Sequence, residues 1–181
     1  MNILSYGLLG LLAREPRSGY DLTQYIKPFW PAKHSQIYPL LGKMEHDGYL
    51  TFDLIRQSDK PDKKIYTITS KGIEELKRWI DEPTSDPVNR DEMMLKAYSI
   101  WLTDPEKAIR LFEEREKMHA ERAVYYESLL VKLKEDDQGE QRYLSPGVPT
   151  FSRYILLTKA LTDSKNAVEW CQWVLSMLKK G

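Results

Sequence analysis

The sequence predicts a mainly α-helical protein with one small β-hairpin. Apolar residues recur at helical spacing through the first 46 residues and again after residue 91. Between these regions, Tyr49–Arg56 and Lys64–Ile68 alternate apolar and polar residues as strands do, on either side of a polar turn at Gln57–Lys63. We therefore predict helices before and after a single hairpin.

The first two predicted helices are short. Leu4, Leu8 and Leu12 lie on one stripe with Leu11, which predicts a helix over Ile3–Leu12 that stops before Pro16. Ser18 is a typical N-cap residue for a second helix that ends near Pro28. The apolar positions of this second helix are Tyr20, Leu22, Tyr25 and Ile26.

A third helix is predicted over His34–His46, closed by Asp47 and Gly48. Pro39 is acceptable there only in or beside the first turn. We expect Phe29 and Trp30 to form a hydrophobic plug beneath this helix. After the hairpin, Thr69 or Ser70 caps a fourth helix that runs through Ile80.

Residues 81–87 have the composition of a linker, with two prolines. We therefore predict one domain at 1–81, a linker at 82–90 and a second domain at 91–181. The second domain is predicted to be a helical arm for dimerisation.

Three helices are predicted in this arm. The first spans Glu92–Leu102, with Met94, Ala97, Tyr98 and Trp101 on one face. Pro105 stands in the first turn of a long helix that reaches about Asp136. A loop at 138–150 leads to a last helix, Phe151–Lys180. Because one small domain could not bury both long helices, we predict a homodimer through 104–136 and 151–180.

Composition restricts the function classes only weakly. Lys and Arg number 27, as do Asp and Glu, so the formal net charge is zero. Residues 1–80 carry 12 basic and 9 acidic side chains, a net charge of +3, which is too mild to indicate a polyanionic partner by itself. A single cysteine, Cys171, excludes a disulfide within one chain and fits a reducing cytoplasm. We expect a cytoplasmic protein with no membrane-spanning segment and no signal peptide.

The sequence does not predict an enzyme. His34, His46 and His119 are dispersed, and no phosphate-binding glycine loop or nucleophile elbow is present. Grouped His and Cys ligands for a metal are also lacking, so we expect no catalytic residue, no metal site and no cofactor.

Three helices followed by a hairpin within about 70 residues is the order of a winged helix-turn-helix, whose third helix enters the DNA major groove. Polar side chains at the start of the third helix and basic ones in the hairpin, the wing, suit contacts with phosphates and base edges. The candidates are Ser18, through its backbone amide, Lys33, His34, Ser35, Gln36, Tyr38, Lys43, Arg56, Lys60, Lys63 and Lys64. A solvated surface has similar composition, and winged helices also serve as protein-interaction modules.

Four blocks of sequence resemble the PadR family in order and spacing. They are Gly19-Tyr20-Asp21-Leu22, Ser35 to Leu41, Met44 to Leu50, and Tyr66 to Gly72. The C-terminal half resembles the long-armed PadR and AphA-like branch, which implies that the second domain at 91–181 serves dimerisation and effector sensing. The resemblance implies a homodimeric regulator of a pseudo-palindromic double-stranded DNA operator.

Residues 32–39 are similar to phenolic-acid-responsive members of the family, which repress a phenolic acid decarboxylase gene. This implies a repressor that phenolic acids release from DNA; the alternative is a regulator with a different effector or none. Such an acid needs a cation for its carboxylate and aromatic walls for its ring. Candidates where the arm should meet the winged domain are Lys96, Tyr98, Arg153 and Tyr154, although core packing and solvation also explain them.

Overall fold

The computed structural model describes residues 1–56, 62–87 and 90–180. The chain forms two compact units, Met1–Pro87 and Val88–Gly181. Helices dominate both units, and the one sheet in the described ranges has three antiparallel strands. The predicted fold class, mainly α with a small hairpin, is confirmed. None of the helices within these ranges is long and apolar enough to cross a bilayer.

The first unit begins with α1 (Ile3–Leu12) and α2 (Gly19–Ile26), as the sequence predicts. The Asn2 side chain caps α1 by accepting a hydrogen bond from the Ser5 N–H at 2.9 Å. A two-residue strand, β1 (Arg17–Ser18), lies between the two helices. It is too short to produce an alternating pattern, so the sequence does not predict it.

The third helix, α3, spans His34–His46 and is followed by a turn at Gly48. Gly48 has a φ of 78°, a left-handed conformation that glycine adopts without steric cost. Its N–H donates to Glu45 O at 3.0 Å, and the Tyr49 N–H donates to Met44 O at 2.9 Å. These two bonds form a Schellman motif, which turns the chain directly from α3 into the first long strand.

The wing consists of β2 (Leu50–Ile55) and β3 (Lys63–Ile68). The strands are antiparallel, with Phe52 opposite Tyr66, and β1 pairs with the other edge of β3. α4 (Ser70–Ile80) follows, capped by Thr69, whose hydroxyl accepts a hydrogen bond from the Gly72 N–H at 3.1 Å. Of the two caps that the sequence predicts, Thr69 and Ser70, Thr69 is therefore the one that caps α4.

Side chains from α1, α2, α3 and β2 fill the core of this unit. Fully buried members include Leu8, Leu9, Leu22, Ile37, Leu41, Met44 and Leu50. The plug predicted from Phe29 and Trp30 is wrong, because both rings are exposed after the end of α2. Ile37 and Leu41 of α3 pack directly in the same cluster as Leu22 of α2, so no plug is needed.

The second unit contains α5 (Glu92–Tyr98), α6 (Pro105–Asp136) and α7 (Pro149–Leu178). Phe112 near the start of α6 packs with Cys171 near the end of α7. At the other end, Leu130 packs with Leu157. The two long helices therefore form an antiparallel hairpin with an apolar cluster at each end.

The helix predicted over Glu92–Leu102 is interrupted. It ends at Tyr98, and residues Ile100–Leu102 form a 3-10 turn in which the Leu102 N–H donates to Ser99 O at 3.1 Å. The predicted apolar face is also different. Met93 is buried instead of Met94, while Tyr98 is 85% exposed and Trp101 77% exposed. A broad apolar edge of the second unit thus stays uncovered within one chain.

Candidate nucleic-acid interface

The N-terminus of α2, the first turns of α3 and the wing border a common groove of about 1010 Å³. Its lining comprises Ser18, Gly19, Tyr20, Tyr38, Gly42, Leu54, Asp62, Lys63, Lys64 and Tyr66. The strand β1 holds these elements together, because Ser18 pairs with Ile65 of β3 and at the same time caps α2. The structure thus brings Ser18, Tyr38, Lys63 and Lys64 of the predicted DNA-binding residues to one place.

A capping box fixes the N-terminus of α2. The Asp21 N–H donates to Ser18 Oγ at 3.1 Å, and Ser18 Oγ donates to Asp21 Oδ2 at 2.6 Å. The Ser18 amide itself points to Asp21 Oδ2 at 3.4 Å. The hydrogen bond from Ser18 and the nearby Lys63 ammonium hold the pKa of Asp21 below its usual value, against the opposing effect of burial.

The first turn of α3 presents polar side chains to solvent. Lys33, His34, Ser35 and Gln36 are all exposed. The Lys33 N–H donates to Gln36 Oε1 at 2.9 Å, so the Gln36 side chain caps the helix through its oxygen. Since the oxygen is used, the Gln36 amide NH₂ group is the part that suits contact with a base edge.

Three aromatic rings form a row across α2 and α3. The His34 ring stacks on Tyr20 with 5.9 Å between centroids and on Tyr38 with 6.0 Å. The His34 Nδ1 atom lies 3.3 Å from the Thr23 hydroxyl oxygen. His34 is therefore fixed in orientation by both helices, although it lies on the surface.

The wing supplies cations of two kinds. Lys63 is half-buried and lies 3.4 Å from Asp21 Oδ2. Lys64 is exposed and its ammonium lies 3.8 Å from the centroid of the Phe52 ring. Arg56 is exposed just after the end of β2. The candidate Lys60 lies outside the described residues.

The predicted residue Lys43 does not line this groove. It is exposed on a later turn of α3 and borders a hollow of about 340 Å³ with Met1, Asn2 and Ser5 of the N-terminal region. A DNA contact by Lys43 remains a prediction.

Sequence reasoning missed Gly19 and Tyr20 as groove residues. Tyr20 was predicted only as one of the apolar positions of α2. Two residues turn a helix by about 200°, so Tyr20 lies on the side opposite to the buried Leu22 and is exposed. The available signal was the block Gly19-Tyr20-Asp21-Leu22, which resembles the PadR family. In the structure Gly19 and Leu22 of this block are buried and Tyr20 is exposed.

The four predicted effector residues fall into two pairs. Lys96 and Tyr98 lie on α5, whose Met93 packs with Cys171 near the end of α7. Arg153 and Tyr154 lie at the start of α7, and 18 residues from Arg153 to Cys171 correspond to about 27 Å of helix. One arm alone therefore does not bring the two pairs together.

One residue of each pair has another partner within the second unit. Lys96 forms an ion pair with Glu92 at 2.7 Å. The Tyr154 ring packs on Tyr143 with 5.0 Å between centroids. The effector site stays a prediction on these residues.

Two protein families match successive parts of the chain. Residues 8–78 match the Transcriptional regulator PadR-like family, and residues 89–179 match the family described as Virulence activator alpha C-term. The chain is also 38% identical to the Negative transcriptional regulator PadR of Bacillus subtilis. That alignment extends over 186 positions and covers 99% of this chain and all of the relative.

Solved structures agree with this relationship. The crystal structure of Bacillus subtilis PadR in complex with operator DNA superposes with a TM-score of 0.85 at 37% identity, covering 98% of this chain and 99% of that one. The structure of the same protein in complex with p-coumaric acid superposes with a TM-score of 0.77 at 36% identity, covering 97% and 95%. With full-length similarity and a matching winged-helix unit, the chain belongs to the PadR-like family of transcriptional regulators.

Proposed function

We propose that the chain is a transcriptional repressor that binds operator DNA through its first unit and leaves the DNA when a phenolic acid binds. The observation that carries this proposal is the groove shared by α2, α3 and the wing. It combines lysines, a helix N-terminus and a tyrosine hydroxyl, and it occurs in a chain that resembles a DNA-bound PadR over its full length.

In this proposal, α3 enters the major groove with its first turn. Ser35 and the Gln36 amide group contact base edges or phosphates there. The wing follows the adjacent backbone, where Lys63 and Lys64 neutralise phosphates and release counterions. The Asp21 amide is capped by Ser18, but the Gly19 and Tyr20 amides in the same turn have no acceptor within their own helix, which makes these two suitable donors to a phosphate.

We propose that two chains act together through their helical arms. In a single chain the edge formed by α5 and the following turn leaves Leu95, Tyr98, Trp101 and Leu102 largely exposed. Monomeric soluble proteins rarely expose apolar residues in such groups. A homodimer would cover them and present two α3 helices to successive major grooves of a pseudo-palindromic operator.

The effector part of the proposal rests on the Bacillus subtilis relative, which has been crystallised with p-coumaric acid. A hydroxycinnamic acid would act by binding more tightly to an arrangement of the dimer that does not fit the operator. Repression of a phenolic acid decarboxylase gene would then be relieved when the acid accumulates.

The test is fluorescence anisotropy with labelled DNA from upstream of the protein's own gene and of its neighbours, in the presence and absence of p-coumarate. We expect salt-sensitive binding to one site and weaker binding when the acid is added. Specific DNA binding without an acid effect would instead support an AphA-like regulator. Binding that is equal on operator and random DNA, or absent, would favour a winged-helix module for protein interaction.

A further inference from the structure

We propose that Gly19 is a positioning residue for Tyr38. In this inference, the missing side chain at the first residue of α2 lets the Tyr38 phenol lie against the end of that helix. Its hydroxyl then stands in the groove where a DNA phosphate is bound. The inference rests on the proposed function, since it assigns Tyr38 a contact with the operator backbone.

Position 19 requires a glycine because a side chain there would occupy the space of the Tyr38 ring, and not because of its backbone conformation. A β-carbon at Gly19 would lie 2.8 Å from Cε1, 3.0 Å from Cζ and 3.2 Å from the hydroxyl oxygen of Tyr38. Positive φ angles occur at Gly48 and Gly139 among the described glycines, and not at Gly19. Any residue could therefore adopt the backbone conformation of position 19, but a side chain there would displace the tyrosine.

The phenol ring is held from two sides. Gly19 is buried beneath it, and the His34 ring stacks beside it with an interplanar angle of 28°. Tyr38 still remains 48% exposed, because its outer face lines the groove together with Lys63 and Lys64. An exposed tyrosine fixed at its inner face and open at its outer face is preorganised to donate a hydrogen bond to an incoming oxyanion.

Three other glycines of this unit serve for comparison with Gly19. A β-carbon at Gly10 or Gly42 would meet no atom within 4 Å. At Gly72 it would lie 2.5 Å from the Tyr49 carbonyl oxygen, so substitution there would disturb the backbone itself. At Gly19 the obstructed atoms belong to the far end of one side chain. Replacing Gly19 by alanine should consequently move Tyr38 and leave the fold in place.

A double-mutant cycle on the full-length protein tests the inference. Operator affinity is measured by anisotropy for the wild type, Gly19→Ala, Tyr38→Ala and the double variant, with Gly10→Ala as the matched control. Gly19→Ala should weaken binding about five- to tenfold, the value of one hydrogen bond. In the Tyr38→Ala background the same change should alter affinity by less than about twofold. Gly10→Ala should bind like the wild type.

An equal loss from Gly19→Ala in both backgrounds would overturn the inference, because Gly19 would then act through the α2 backbone. If the wild type binds no DNA, the proposed function fails instead, and thermal unfolding of the same four proteins decides the positioning role. Gly19→Ala should lower the Tm when Tyr38 is present and should not lower it when residue 38 is alanine. Identical Tm changes in both backgrounds would then refute the contact.

Discussion

The Lys63 ammonium of the wing lies 3.4 Å from Oδ2 of Asp21 at the start of α2. This wing cation is therefore partly neutralised before DNA arrives, whereas Lys64 is exposed and its ammonium lies over the Phe52 ring. The two lysines are neighbours in the sequence, yet opposite sides of the strand give them different electrostatic surroundings.

We expect Lys64→Ala to weaken binding to operator and random DNA alike, because a phosphate contact carries no sequence information. It should lower the slope of log K against log salt concentration by about one unit. Lys63→Ala should act in the same direction. Titrations at four salt concentrations on both DNAs provide the measurement, and a loss confined to the operator would contradict the assignment.

Asp21→Asn is the matched variant for the Lys63 pair. Asparagine retains an oxygen that can accept from Ser18 and complete the capping box of α2, but it removes the negative charge that competes with phosphate. Binding to both DNAs should become stronger. Unchanged affinity would show that Lys63 does not exchange Asp21 for a phosphate.

Gln36 is expected to combine a capping role with base recognition. Gln36→Ala should cost about 1–3 kcal/mol of operator binding and little binding to random DNA. Because Gln36 Oε1 accepts from the Lys33 N–H, alanine should also lower the Tm. Gln36→Glu keeps the capping oxygen and should retain the Tm while losing the preference for operator. If Gln36→Ala lowers the affinity for operator and random DNA equally, Gln36 does not contact a base edge.

Local signals in the sequence account for much of the fold. Helix ends are marked by residues that interact with their own neighbours in the chain, so they can be predicted from the sequence. They are Ser18, Gly48, Thr69 and Pro105. Alternation likewise predicts the wing, since one face of the hairpin packs on the core.

Tertiary relationships were harder to predict. The strand β1 has only two residues, and its role depends on β3, which is almost 50 residues away. The contact of Gly19 with Tyr38 joins two helices and has no signature in spacing. The break after Tyr98 also escaped prediction, because apolar residues continue through Leu102 and resemble one uninterrupted helix.

Glu75 should make the first unit sensitive to acid. Its carboxylate accepts hydrogen bonds from Arg78 and, at 2.8 Å, from the Tyr6 hydroxyl, and its side chain is 17% exposed. These bonds, Arg78 first, hold the pKa of Glu75 below its ordinary value of 4.5. The folded state therefore gains stability above that ordinary pKa, and the gain is lost as the pH falls through the lower folded pKa.

Glu75→Gln should lower the Tm at pH 7 by about 2–4 °C, and the difference from the wild type should shrink as the pH falls below about 4.5. Circular dichroism melts between pH 3 and 7 give this comparison. Glu74→Gln is a suitable control, because its carboxyl neighbours Glu75 in sequence. A Tm difference that is constant across this range would show that the Glu75 charge does not contribute.

The exposed edge of the second unit leads to a prediction about assembly. We expect the intact protein to be a dimer at micromolar concentration, because association would bury Tyr98, Trp101 and the adjacent apolar side chains. A fragment ending near Glu82 should be monomeric, since it lacks both long helices. Light scattering measures both masses, and a monomeric intact protein would refute the dimer.

The two cations that could bind the effector carboxylate, Lys96 and Arg153, differ in their partners within the arm. Lys96 is paired with Glu92, whereas no ion pair to Arg153 is found within the described ranges, so we expect Arg153 to be the freer partner for a carboxylate. Calorimetry should show tighter p-coumarate binding to free protein than to the DNA complex. By linkage the acid and the operator weaken each other by the same factor, about 5- to 150-fold.

Arg153→Ala should abolish release and leave DNA affinity nearly intact, and Lys96→Ala should have a smaller effect. Acid binding that survives both substitutions would exclude these residues, and no heat with any phenolic acid would exclude the effector class.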